Sequence, residues 1–363
     1  MSAAGREGEP AARRFLILAD GALGVLDSKT AVAVLRYLPE QVAAVLDRRH
    51  AGRIAGDLLD LPSRAPVVAD VAAGRALGAN ALLVGIAPVG GGLPGEWRAW
   101  LSEGLAAGMD VWSGLHVFLA EDPEFAVLAG RSGARIHDLR RVPEVLPVAA
   151  ARAAALPCHV LLTVGSDCNT GKMTVALEIH RAALRAGLDS RFVATGQTGV
   201  LIAGSGMSVD RVISDFVAGA AEQLVLEAAP GADLVVVEGQ GSLFHPGYSG
   251  VTLGLMHGAA PDLLALCHQP TRTSIRHGGM LIPSYPEMVR AYETAAAWVR
   301  PARVVGLALN TFDLPPERAA AEVARAAAET GLPAADVIRD GAEALVAALP
   351  RRAPGAAPKG GPQ

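Results

Sequence analysis

The chain has 363 residues, 51% hydrophobic and 19% charged, which excludes a disordered polymer and suggests two or three domains at roughly 150 residues each. Thirty-two basic against 36 acidic residues give a net charge of −4, so no basic footprint for nucleic acid is present. The three cysteines, Cys158, Cys168 and Cys267, are too few and too widely spaced for a disulfide framework or a zinc knuckle.

Residues 1–14 are polar and read as no secretory signal. The longest uncharged stretch, 76–95, is broken by Pro88, Pro94 and several glycines, unlike a membrane helix. A cytoplasmic protein without a membrane partner is expected. The composition, rich in Ala, Val and Leu with only 4% aromatics, suits helices packed on parallel strands.

In chain order, residues 15–19 read as a buried strand, and Ser28 as the cap of a helix over 29–38. Strands are expected at 66–68 and 81–86, the second running into Gly90-Gly91-Gly92. A helix over 95–107 and a strand at 110–112 follow. This alternation predicts a parallel sheet. No G-x-G-x-x-G follows the first strand, so dinucleotide binding is not supported. Asp20-Gly21 and Ser28-Lys29-Thr30 read either as an anion site or as a turn and a cap. The 85–92 loop is either a ligand-facing turn or a link.

The Pro-, Ala- and Arg-rich stretch 140–157 separates a first domain, 1–145, from a second, 146–350. Strands of the second are predicted at 159–164, 191–194, 234–237, 263–267, 304–309 and 335–338. Helices are predicted over 174–186, 214–228, 286–299 and 316–330. The Pro- and Gly-rich tail, 351–363, is expected to be disordered.

The strongest signal is a strand, a glycine loop and a helix. Leu161-Leu162-Thr163-Val164 leads into Gly165, Ser166, Asp167, Cys168, Asn169, Thr170, Gly171, Lys172, Met173 and Thr174. Such a loop turns successive backbone N–H groups inward onto phosphate oxygens, and the helix N-terminus adds positive potential. Lys172 would neutralise phosphate charge, and Thr174 could place its hydroxyl on Mg²⁺. Five residues, not the usual four, separate Gly165 from Gly171, and Met173 intervenes before Thr174.

Other candidates surround this loop. Glu238 ends an apolar strand and is followed by Gly-Gln-Gly; it reads as a Mg²⁺ ligand and catalytic carboxylate, against a solvated strand end. Asp215 is either a second metal-side carboxylate or an acid at a helix start. Gln197 and Thr198 sit in a turn after a strand, where substrate-facing groups are common. Arg272 and Arg276, with His268 and His277, form a basic stretch suited to an acidic substrate, or a solvated loop. His245 could act as a general base, though loop histidines are commonly structural. Cys168 is either a reactive thiol at a helix N-terminus or a packing residue.

The five-residue spacing resembles the loop of dethiobiotin synthetase and its P-loop relatives, G-x-D-x-x-x-G-K-T; Gly165, Asp167, Gly171 and Lys172 match, and Met173 departs. The strand through Glu238-Gly239-Gln240-Gly241 is similar to that group's E-G-A-G, whose glutamate binds Mg²⁺. Residues 306–309 ending in Asn310 are similar to its late strand, whose asparagine reads adenine.

A second resemblance spans nearly the whole chain. The G-x-D-C-x-x-G-K-M-T run, Ala194-Thr195-Gly196-Gln197-Thr198-Gly199, and 214–222 resemble a bacterial family long known only as a domain of unknown function. It includes the D-glutamate N-acetyltransferase of D-glutamate catabolism, which works beside an epimerase of the enolase superfamily. Asp20-Gly21 and Lys29-Thr30-Ala31 look like the family's opening. The resemblance implies an α/β chain with an N-terminal Rossmann-like domain and a C-terminal P-loop NTPase-like domain, dethiobiotin-synthetase-like, with a parallel sheet. It implies N-acetylation of an acidic amino acid with acetyl-CoA as donor. The residues themselves, Lys172, Thr174 and Glu238, slightly favour a rival, ATP with Mg²⁺ in a carboxylate–amine ligase, because a triphosphate with Mg²⁺ requires such groups and CoA needs no metal. A nucleotide-binding regulatory module is a third reading. A homo-oligomer is expected.

Overall fold

The computed structural model describes residues 12–24, 28–86, 93–276 and 278–350. The expected tail and most of the 85–92 loop lie outside these, as does His277. The chain divides into two units, Met1–Arg141 and Val142–Gln363. Among the described residues, no helix is long and apolar enough to cross a membrane.

The first unit runs β1 (Phe15–Leu18), α1 (Lys29–Tyr37), β2 (Val42–Leu46), α2 (Ala55–Leu59), β3 (Val67–Val68), α3 (Val71–Ala76), β4 (Ala81–Val84), α4 (Gly95–Ala106), β5 (Asp110–Ser113), α5 (Pro123–Ser132) and β6 (Ile136–Asp138). The strands pair in parallel in the order β3-β2-β1-β4-β5-β6, the doubly wound Rossmann arrangement. β1, β2 and β4 are buried along their whole length, as strands covered on both faces must be. Ser28 precedes α1 but does not cap it. Its hydroxyl instead accepts from the Gly24 amide and donates to the Gly24 carbonyl.

The second unit runs β7 (His159–Gly165), α6 (Lys172–Arg185), β8 (Ser190–Val193), α7 (Gln197–Ala203), α8 (Ser214–Ala228), β9 (Leu234–Val237), α9 (Ser249–Ala259), β10 (Leu263–His268), α10 (Tyr285–Ala297), β11 (Arg303–Leu309), α11 (Pro316–Thr330), β12 (Ala334–Ala335) and α12 (Glu343–Ala347). Its parallel order is β12-β11-β10-β7-β9-β8. β7 therefore lies inside the sheet, and the loop that follows it opens at the strands' carboxyl edge.

Several elements differ from the sequence reading. β2 is the alanine-containing run VAAVL, whose small residues give little strand signal, yet it is wholly buried beside β1. α9 carries three glycines, which depress intrinsic helix propensity. Tertiary packing overrides that preference, because a Cβ on Gly258 would stand 2.0 Å from the Ala218 carbonyl oxygen of α8. The glycines let two helices approach closely. Gln197 and Thr198 open a helix rather than a turn, and α6 starts at Lys172 instead of Thr174.

Replacing Gly258 by alanine should therefore lower stability by about 1–3 kcal/mol through overpacking. Gly250→Ala, in the same helix with open space around it, should change stability by less than about 1 kcal/mol. Urea denaturation of the two variants checks the contrast.

Candidate functional site

The loop after β7 has the backbone of an anion cradle. Asn169 (φ 58°) and Gly171 (φ 101°) take left-handed conformations, which turn neighbouring N–H groups to one side. Asparagine tolerates this region, and glycine adopts it freely. α6 begins at once with Lys172, so the positive end of a 14-residue helix faces the same hollow.

Lys172 is buried, and its Nζ donates to the Asp167 carbonyl oxygen at 2.9 Å. Its stem passes Gly239, where a Cβ would lie 3.1 Å from the lysine Cδ and 1.6 Å from the Thr163 carbonyl oxygen. Only glycine fits there. Burial lowers the Lys172 ammonium pKa, partly countered by Cys168, Cys267 and Asp167.

Asp167 is fully buried inside the loop. Its Oδ2 accepts from Arg272 Nη1 at 3.0 Å and from the Arg276 amide at 2.9 Å; its Oδ1 accepts from the Cys168 amide at 2.7 Å. Arg272 also donates to the Cys168 carbonyl and to Gln269 Oε1. The guanidinium expected to meet substrate is thus engaged in holding the loop. The Arg276 side chain is exposed, while its backbone closes on Asp167.

His245 is turned to the same segment. Its Nε2 lies 3.1 Å from the Arg276 carbonyl oxygen, and its Nδ1 accepts from the Gly247 amide at 3.1 Å. With Nδ1 accepting, Nε2 carries the proton and donates to that carbonyl. Both nitrogens are engaged, so the structure presents His245 as a loop brace and not as a free base. Asp167, Cys168 and His245 bring donor atoms within 4.8 Å of one another, the one such group of three among the described residues. Arg272 is ion-paired with Asp167 there and Lys172 is adjacent, so positive charge already fills the place of a metal cation.

Two residues that sequence reasoning left out or unassigned complete the cradle. Tyr292 of α10, fully buried, donates its hydroxyl to the Gly165 carbonyl at 2.6 Å and accepts from the Leu243 amide at 3.2 Å. Burial pushes its phenol up to about 12. A lone tyrosine in a helix gives no sequence signal. His268, at the end of β10, pairs through Nδ1 with the Ser166 hydroxyl at 2.8 Å, and burial pushes it down to about 4, so it is neutral at pH 7.

Glu238 follows β9 and is buried. Its Oε2 accepts from the amides of Thr195 and Gly196 at 3.0 and 3.1 Å, and its Oε1 accepts from Gln240 Nε2 at 3.2 Å. This explains the A-T-G-Q-T-G block. A Cβ on Gly199 would lie 2.1 Å from Oε2, and one on Gly196 would lie 3.0 Å from Oε1. The two glycines make room for the carboxylate at the first turn of α7, beside Gln197 and Thr198. Burial outweighs the three hydrogen bonds and raises the Glu238 carboxyl to about 7.

The three expected metal ligands lie in different settings. Asp215 is exposed in the first turn of α8, whereas the oxygens of Glu238 are occupied by amide donors. Thr174 is half-buried in the first turn of α6. Asn310, just past β11, places its amide nitrogen 3.9 Å from where a Cβ on Gly171 would stand, at the helix side of the loop.

The fold and this loop define a P-loop domain preceded by a Rossmann-like domain. Residues 147–346 match the P-loop domain, and residues 48–142 the Rossmann-like domain, of a family described as a domain of unknown function, DUF1611. The chain belongs to that family. It is 37% identical over 346 residues to a D-glutamate N-acetyltransferase of Tritonibacter scottomollicae, spanning 92% of this chain and 98% of the relative. It is 38% identical over 277 residues to a D-glutamate N-acetyltransferase of a Pseudoalteromonas species, spanning 75% and 82%. The crystal structure of a DUF1611 family protein from Anabaena variabilis superposes with a TM-score of 0.89 at 41% identity, covering 93% of this chain and 98% of that one.

Two pH effects follow. An anion in the loop stabilises protonated Lys172, so binding takes up a proton wherever the free lysine is neutral, and affinity falls as pH rises. Calorimetry of phosphate-ligand binding in buffers of different ionisation enthalpy reads this uptake directly. Glu238 has a raised pKa, so the stability it contributes is full below about 4.5 and is lost as pH rises through about 7. Glu238→Gln should remove that dependence, gaining on the wild type across this window by at most about 3 kcal/mol, measured by denaturation at pH 4.5 and 8.

Proposed function

We propose that this chain is an N-acyltransferase that moves the acetyl group of acetyl-CoA onto the amino group of an acidic amino acid, D-glutamate. The observation that carries this reading is the 37% identity, over 92% of the chain, to an enzyme named for that reaction. The phosphate loop adds chemical support: inward amides, a helix N-terminus and Lys172 suit the nucleotide phosphates of CoA.

In this reading Lys172 and residues 165–174 hold the phosphates, and Asn310 meets the base. Gln197 and Thr198 face the amino acid, beside Glu238. The amine nitrogen attacks the thioester carbonyl carbon, the C–S bond breaks, and CoA leaves as thiolate. Glu238, with a pKa of about 7, is matched to take the proton released by the amine. An epimerase that supplies or consumes the same amino acid fits as a pathway neighbour.

The rival reading, an ATP–Mg²⁺ ligase, needs a cation to neutralise charge in phosphoryl transfer. Incubating the protein with D-glutamate and acetyl-CoA in EDTA, without ATP, separates the two. Free CoA and N-acetyl-D-glutamate are expected. ADP release dependent on ATP, Mg²⁺ and a carboxylate, with no thioester turnover, overturns the proposal. Lys172→Ala should weaken acetyl-CoA binding at least tenfold, the loss of one charge-assisted contact of about 1.5–3 kcal/mol. Unchanged affinity in calorimetry would remove the phosphate loop from donor binding.

A further inference from the structure

The first unit carries a polar cavity that the proposed reaction does not use. It has a volume of about 420 Å³ and is lined by Asp20, Gly21, Arg48, Arg49 and Glu96. Asp20 and Gly21 follow β1, Arg48 and Arg49 follow β2, and Glu96 lies in the first turn of α4, which follows β4. The cavity thus sits at the strands' carboxyl edge beside the β1/β4 reversal of strand order, where open α/β sheets hold ligands.

Its charges are set in a definite way. Asp20 is buried; its Oδ1 accepts from the Arg48 amide and its Oδ2 from Arg48 Nε, both at 2.8 Å. Arg48 Nη2 reaches Glu96 Oε2 at 3.0 Å, and the guanidinium lies 5.8 Å from the Trp100 ring centre. Arg48 thus bridges Asp20 and Glu96, ion-paired to both. Behind it, buried Asp47 ties the two turns together by accepting from the Gly21 and Arg49 amides and from the His50 ring. Arg49 lines the same cavity, is exposed, and makes no ion pair among the described residues. Glu96 has one oxygen engaged and a side chain 79% exposed. A cation and an anion therefore line one cavity without pairing to each other.

A ligand that meets both must carry both signs. We propose that this cavity binds a zwitterionic α-amino acid, its carboxylate on Arg49 and its ammonium on Glu96, with the Asp20–Arg48 pair as the fixed wall. Guanidinium–carboxylate pairing is bidentate and directional, which suits recognition of an α-carboxylate. The site goes beyond the acyl-transfer reading and does not depend on it.

The test is calorimetry on the full chain with glycine, D-glutamate and L-glutamate, against acetate and ethylammonium as ligands with one charge each. At least one amino acid should bind at least tenfold more tightly than either single-charge ligand. Arg49→Gln and Glu96→Gln, both exposed positions, should each weaken it at least tenfold. Lys172→Ala should leave it unchanged, although it weakens phosphate-ligand binding at least tenfold if the donor reading holds. Unchanged affinity in both cavity variants overturns the proposal, as does an absence of amino-acid binding. Loss in Lys172→Ala alone also overturns it, by placing the amino acid in the phosphate loop.

Discussion

The phosphate loop takes its shape from one buried negative charge. A carboxylate withdrawn from water must be paired, and removing its partner leaves a cost of several kcal/mol. Asp167 meets this demand with Arg272 and with the amides of Cys168 and Arg276. That pairing draws the segment after β10 over the loop. The same segment offers its Arg276 carbonyl to His245, and so fixes the loop after β9 as well. Tyr292 closes the circuit from the other side by joining Gly165 to Leu243. The loop over the helix N-terminus is thus held by protein groups on both sides, the kind of preorganisation that lowers the ordering cost of binding.

Much of this was legible in the sequence, for identifiable reasons. The parallel sheets follow from short apolar runs alternating with amphipathic helices, and the cradle follows from glycine and lysine placed between strand and helix. Chemistry that depends on long-range pairing was not legible. Arg272 is a basic residue in a polar stretch, and nothing local shows that its partner lies 105 positions earlier. His245 likewise looks like a free imidazole until its two backbone partners are seen. Tyr292 and the glycine-rich α9 leave no pattern, because their roles reside in what packs against them.

Glu238 shows how a motif's position can be legible while its surroundings are not. Its place at the end of an apolar strand matches the metal-binding glutamate of related loops. Its environment differs, because α7 begins beneath it and supplies two amide donors, with Gly196 and Gly199 clearing the space. The carboxylate is solvated by peptide groups in a site poor in water. Burial there outweighs the donated hydrogen bonds, and the raised pKa is its electrostatic signature.

The central position of β7 bears on how the chain acquires its site during synthesis. The strand that carries the loop is made first in its unit, yet its neighbours β9 and β10 follow much later. The Arg276 amide that completes the Asp167 pairing is 109 residues downstream. Until that segment has emerged, the loop lacks its lock and Asp167 lacks the Arg272 guanidinium. Non-local contacts of this kind slow folding and delay the closing of the sheet. A growing chain therefore has no formed loop lock until most of the second unit has been made, so the Asp167 pairing marks the completion of the fold and not its nucleation.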